Sequence, residues 1–207
     1  KPNEVPDLSY PGEIALAEFQ QNNPVALFGN IQYNFMSSSD FGRAQCISNW
    51  LDVYEVQTYR LCGGGGDTGL PDLINQHQWV VEQQQQYLLA LKNMGVKGFR
   101  IDAAKHMTLG HLNNVLTSNI KDGMHVFGEI ITGGGAGNQD YDFFLSPYLL
   151  STDHDAYDFP LFHTMKTAFG WGGSLTTLPD AEANGQALNK FRSITFAITH
   201  DIPQNEG

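Results

Sequence analysis

The chain has 207 residues, enough for one large hydrophobic core or two small ones. With 41% hydrophobic and 16% charged residues it falls among globular rather than disordered proteins. A formal net charge of −11 argues against nucleic acid and against an anionic membrane surface as partners, and the longest apolar runs are far shorter than a membrane span.

The first residue is Lys1, with no signal-peptide pattern before it, so the expectation is a processed N-terminus or a fragment. The closing stretch Thr199-His200-Asp201-Ile202-Pro203-Gln204-Asn205-Glu206-Gly207 favours the fragment, because it stops where a strand delivers polar groups. Residues 1–66 read as irregular: Pro2, Pro6, Pro11 and Pro24 punctuate the start, and Ser37-Ser38-Ser39-Asp40 before Gly42 reads as loop. Short strand-like pieces stand at Ala26-Leu27-Phe28 and at Asp52-Val53-Tyr54-Glu55-Val56. Cys46 and Cys62 allow either a disulfide in an exported protein or two buried free thiols, and fit no zinc pattern. Cys62-Gly63-Gly64-Gly65-Gly66 reads as a mobile tether. It lacks the Gly-Lys-Ser/Thr ending of a phosphate-binding loop.

Regular structure begins near Gln76. Val80, Tyr87, Leu91 and Met94 recur at helical spacing, Glu82 and Gln83 to Gln86 take the wetter faces, and Gly95 stops the helix. In Gly98-Phe99-Arg100-Ile101-Asp102-Ala103-Ala104-Lys105-His106, apolar and charged residues alternate with the period of two of a strand. Arg100 and Asp102 therefore share a face, roughly 6.5–7 Å apart along the backbone. A helix follows across Leu109, Leu112, Val115, Leu116 and Ile120, then a strand from Met124 to Glu129 that also ends on a carboxylate. The glycine-rich loop 132–138 is no dinucleotide fingerprint, because Asn138 stands where glycine is needed. Asp153, Asp155 and Asp158 miss the calcium-loop spacing at Tyr157 and Asp158. A short third strand is expected at 156–159, helices at 160–169 and 180–190, and a last strand from Ser193 to Thr199 before His200-Asp201. Such alternation implies parallel strands with right-handed crossovers. Asp102, Glu129 and Asp201 then lie at strand C-terminal ends, the catalytic face of a parallel barrel.

Three carboxylates on one rim can divide glycoside hydrolysis among them. A retaining mechanism needs a nucleophile and an acid/base about 5–5.5 Å apart. Asp102, kept ionised by Arg100, suits the nucleophile. Glu129, whose ionisation neighbouring carboxylates disfavour, suits the acid, and Asp201 would hydrogen-bond the sugar and support positive charge. A metal site built on His106 or His200 competes, but no His-x-His or His-Glu-x-x-His spacing supports zinc.

Gly98 to His106, the Gly128-Glu129 strand end and Phe196-Ala197-Ile198-Thr199-His200-Asp201 resemble three signature regions of the α-amylase superfamily, in its order. Gly69-Leu70-Pro71-Asp72-Leu73 resembles a fourth, at the exit of that family's inserted loop domain. The match spans about residues 45–205. The resemblance implies an α/β fold: a partial (β/α)8 TIM barrel, about strands 4–7, over residues 74–207, with a loop-rich inserted subdomain over 1–73. It assigns Asp102 as nucleophile, Glu129 as acid/base and Asp201 as transition-state stabiliser, with Arg100 and His200 around the reacting sugar and Lys105 and His106 on the leaving-group side. It implies a structural Ca2+, with Asp72 as side-chain ligand and His106 and Gln57 as carbonyl ligands. The family's Asp-x-x-x-Asn-His signature, its first three strands and its eighth are absent, and Thr199 stands where chloride-activated members carry Asn. The implied function is endo-hydrolysis of α-1,4-glucan, starch or maltooligosaccharide, by a secreted monomer. The alternatives are a glucan transferase and a truncated, non-catalytic glucan-binding relative.

Overall fold

The computed structural model describes residues 38–63, 65–67 and 69–201, so the strand expected at 26–28 lies outside the described residues. The described residues divide into two compact units, those within 38–98 together with 106–125, and 99–105 together with 126–201.

In the first unit Cys46 and Cys62 are joined by a disulfide, which resolves the choice between bonded and free thiols. Within the loop it closes, the piece expected as a strand at 52–56 is instead helix α1, Val53–Thr58. The Asp52 carboxylate accepts from the Tyr54 and Glu55 amides at 2.9 and 3.1 Å, capping donors that a short helix otherwise leaves orphaned. Glu55 turns back to accept from Ser48 N, Asn49 N and Ser48 Oγ at 2.8–2.9 Å. Those bonds, the Asn49 amide foremost, hold its carboxyl below the usual range. Local polar bonding here overrides the strand preference of Val53 and Val56.

Helix α2, Gln78–Asn93, ends at Met94 and Gly95, whose φ of +97° suits a residue without Cβ. Its buried residues are Val80, Val81, Gln83 and Ala90, while Met94 is exposed. Gln83, expected on a wet face, is thus in the interior. The helix expected through 109–120 is two pieces: α3, Leu109–Val115, capped by the Thr108 hydroxyl on His111 N at 3.1 Å, and α4, Ser118–Lys121. Leu116 leaves the helical region between them, yet Leu112, Val115, Leu116 and Ile120 are all buried as their spacing requires.

The second unit carries the sheet. Among the described residues four strands line up in sequence order: β1 (Gly98–Ile101), β2 (His125–Gly128), β3 (Asp155–Tyr157) and β4 (Ser193–Ile194). Phe127 pairs with Asp155 and Ala156 with Ser193 in parallel ladders. Glu129 N donates to Ile101 O at 3.0 Å, carrying the β1–β2 pairing to the strand ends. Parallel neighbours in sequence order, with helices in the crossovers, are the architecture of a partial (β/α)8 barrel. A π-helical turn at Tyr141–Leu145 runs into helix α5, Ser146–Ser151, and Asp158 caps helix α6, Phe159–Phe169. Val126, Ile130, Leu145, Tyr148, Ala156 and Phe159 form the core.

Two expectations fail here. Residues 180–190 form turns rather than a helix, because Gly185 adopts φ +69° and the Asp158 carboxylate takes the Leu188 amide at 3.1–3.2 Å. The last strand stops at Ile194 instead of Thr199. No helix among the described residues is long and apolar enough to cross a membrane.

Candidate active site

Asp102 follows β1 directly, and Glu129 follows β2. Ala103, in the left-handed region at φ +47°, turns the chain sharply after Asp102, an unusual conformation for a residue with a Cβ. Its amide donates to Glu129 Oε2 at 3.2 Å. Glycine at 128 is required by contact: a Cβ there would sit 2.6 Å from Tyr148 Oη and 3.1 Å from the Ala104 methyl. Tyr148 itself is buried and donates to Asp155 O at 3.1 Å, and burial pushes its phenol well above the usual range.

One guanidinium joins the rim. Arg100 Nη1 donates to Asp102 Oδ1 at 2.5 Å and Nη2 to Glu129 Oε1 at 2.7 Å, with Asp201 Oδ2 at 3.9 Å. The two partners differ in environment: the Asp102 side chain is 76% exposed and that of Glu129 only 6%. The same carboxylates pull the Arg100 pKa upward against a desolvation that would lower it. His200 Nε2 lies 3.1 Å from Asp201 Oδ2, and both are exposed. Lys105 is turned inward, its Nζ 2.8 Å from Asp140 Oδ1 and 4.8 Å from the centre of the Phe144 ring.

Sequence reasoning missed two supports of this arrangement. The Arg100 guanidinium lies over the Tyr157 ring, 5.8 Å from its centre, and that ring is wedged edge-on between Phe127 (5.2 Å) and Phe196 (5.3 Å). Tyr157 closes β3 just as Ile101 closes β1, so its position at a strand end was the available signal. Asp158 is the other: buried, it accepts from Leu161 N and Leu188 N and from Ser193 Oγ at 2.7 Å, clasping β3, α6 and β4.

The residues expected around a metal belong to the first unit. His106 Nδ1 lies 3.0 Å from Val56 O, and its ring meets Trp50 edge-on at 6.1 Å. Gln57 O accepts from Asn75 Nδ2 at 3.3 Å. Asp72 shares a cavity wall with Asn75 and Thr58, and desolvation pushes its carboxyl up to about 6 despite the charge of Arg60.

Paired carboxylates on a shared guanidinium, at the ends of neighbouring strands of a partial parallel α/β barrel, form an arrangement with the chemical means for nucleophilic and acid–base work. No family model matches the chain, but single relatives do. An alpha-amylase of Aeromonas hydrophila is 54% identical over 205 residues, covering 97% of this chain and 44% of that protein. Pancreatic alpha-amylase 2a5 of Mus musculus is 34% identical over 120 residues, 52% of this chain and 22% of that one. Among solved structures, the cyclomaltodextrin glucanotransferase CldA superposes with a TM-score of 0.67 at 26% identity, covering 82% of this chain and 34% of that chain. An alpha-amylase from Malbranchea cinnamomea gives 0.64 at 22% identity, covering 87% and 36%. The chain belongs to the α-amylase superfamily. It spans less than half the length of these relatives.

Proposed function

We propose that the protein containing this chain cleaves internal α-1,4-glucosidic bonds of starch-type glucans with retention of anomeric configuration. The observation that carries this reading is the guanidinium of Arg100, bonded to Asp102 and Glu129 where two neighbouring parallel strands end. Asp102 attacks the anomeric carbon as Glu129 gives its proton to the departing glycosidic oxygen, leaving a glucosyl ester on Asp102. Glu129 then takes a proton from water, whose oxygen displaces Asp102. Asp201, beside His200, faces the oxocarbenium-like charge that develops in the transition state of each step. Arg100 and His200 flank the reacting sugar, and Lys105 and His106 the leaving-group side. The test is a reducing-sugar assay on soluble starch with the complete protein. Activity that survives Glu129→Gln undiminished would sink the acid/base assignment.

A second reading is supported by the similarity to a cyclomaltodextrin glucanotransferase: a sugar hydroxyl, not water, opens the ester. Longer or cyclic glucans among the products distinguish it from hydrolysis, which only shortens the chain. The disulfide supports secretion, since such bonds persist in oxidising compartments.

Calcium fits the first unit by donor chemistry. Asp72 offers a partly desolvated carboxylate, Gln57 a carbonyl with a second lone pair beyond its bond to Asn75, and His106 a further carbonyl: all hard oxygens. Bound there, the ion would fasten these segments. Its removal is expected to lower the melting temperature by several degrees. In chelator the Asp72 carboxyl has a folded-state pKa of about 6, above its ordinary 3.8. The folded protein then holds that proton more tightly than the unfolded chain, so stability rises as pH falls from 7 to 5. Asp72→Asn should abolish both the chelator effect and this pH dependence. Melting curves at pH 7 and pH 5, with and without chelator, check both.

A further inference from the structure

We propose that Asp140 is a positioning residue for the general acid: through the Lys105 ammonium it fixes the segment that carries Glu129. This rests on the acid assignment of Glu129 made above. Lys105 grips that segment at two points. Its amide donates to Glu129 O at 3.3 Å, and its Nζ donates to Ile131 O at 3.4 Å, two residues beyond the acid. The second point depends on a partner. The ammonium donates to Asp140 Oδ1 at 2.8 Å and lies 4.8 Å from the centre of the Phe144 ring, in a place where only 12% of the lysine side chain is exposed.

Asp140 stands at the head of the π-helical turn Tyr141–Leu145, a rare geometry that is frequent at functional sites. The Asn138 side chain fixes it there, its Oδ1 accepting from Asp140 N at 3.1 Å and from Tyr141 N at 3.3 Å. Asp140 and Phe144, four positions apart, thus meet the same cation from a turn anchored by the buried Phe144 and Leu145. Two of the three ammonium donors are occupied by Asp140 and Ile131. Lys105 still flanks the leaving-group side, but its charge is committed to Asp140. Without that carboxylate, a flexible stem carries a cation whose dry surroundings no longer neutralise it. The ammonium then turns to water, and Ile131 O loses its donor. Arg100 and the Ala103 amide hold the carboxylate of Glu129, whereas Lys105 holds the backbone from which it hangs. The acid is then aimed less well at the departing oxygen, by a fraction of the roughly 1 Å displacement that costs about a hundredfold.

The experiment uses the complete protein and two aryl maltotriosides, one of phenol and one of dinitrophenol. Phenol, with a pKa of about 10, departs only with a proton, whereas dinitrophenolate leaves without one. Neither leaving group is a sugar, so a lost contact to a leaving-group sugar would affect neither substrate. Asp140→Asn, isosteric at a part-exposed position, is expected to lower kcat/KM for phenol release about tenfold and for dinitrophenol release less than about twofold. Asp140→Glu, which keeps the charge, should return phenol release to within about threefold of wild type. Added to Lys105→Met, Asp140→Asn should cost nothing further, because the cation through which it acts is gone. Glu129→Gln is the control and should show the same contrast between substrates, only larger. Equal losses on the two substrates, no loss on either, or additive losses in the double variant overturn the positioning role, and a control that keeps its contrast leaves Glu129 as the acid. A Glu129→Gln protein without that contrast overturns the acid assignment and the role of Asp140 with it.

Discussion

Asp102→Asn in the complete protein is expected to lower starch hydrolysis by roughly 10⁴-fold or more, because an amide oxygen does not form the ester on which retention depends. Two features make this substitution clean. The Asp102 side chain is 76% exposed, so an isosteric amide leaves no buried group unpaired, and the melting temperature should stay within about a degree. The Asn carbonyl still accepts from Arg100 Nη1, so the guanidinium keeps its place and Glu129 its partner. Maltooligosaccharide affinity should therefore be nearly wild type. Calorimetric titration beside a reducing-sugar assay separates the outcomes: full activity removes Asp102 from the chemistry, whereas loss of binding together with activity points to a sugar-holding role.

Arg100→Lys is expected to cost at least about a hundredfold in kcat, the loss that follows when reacting groups move by roughly 1 Å. Charge is kept in this variant, but the planar fork is lost. A guanidinium reaches Asp102 and Glu129 with separate nitrogens while its face rests on Tyr157, and an ammonium on a flexible stem offers no such geometry. Glu129 bears the consequence, because among the described residues its buried side chain retains only the Ala103 amide as a fixed donor. The variant should accordingly melt several degrees lower, unlike Asp102→Asn. A kcat equal to wild type would show that the two carboxylates keep their positions without the fork.

These contrasts rest on a rim that was legible in the sequence. Arg100 and Asp102 share a strand face by the period of two, and their ion pair is present in the structure. The strand–helix alternation gave the parallel order because each apolar run was bounded by glycine or by a change of period. What escaped reading lies in side-chain bonds and strand register. Asp52 and Glu55 fold residues 53–58 into a helix through side-chain bonds that a strand-like composition conceals. Gly185 and the carboxylate of Asp158 dissolve the helix expected at 180–190, although the apolar spacing of Ala181 and Leu188 is satisfied by burial in turns. The bond from Arg100 to Glu129 links residues 29 apart, a pairing fixed by strand register and not by any spacing along the chain. The support from Tyr157 depends on the same register.

Gly128 has a consequence for anyone altering this protein. The space beside it is already filled by the phenol of Tyr148 and the methyl of Ala104, so even alanine would have to displace one of them. Both neighbours are themselves buried, and the residue that follows carries the proposed acid. Saturation mutagenesis should therefore find position 128 nearly intolerant although it bears no functional group.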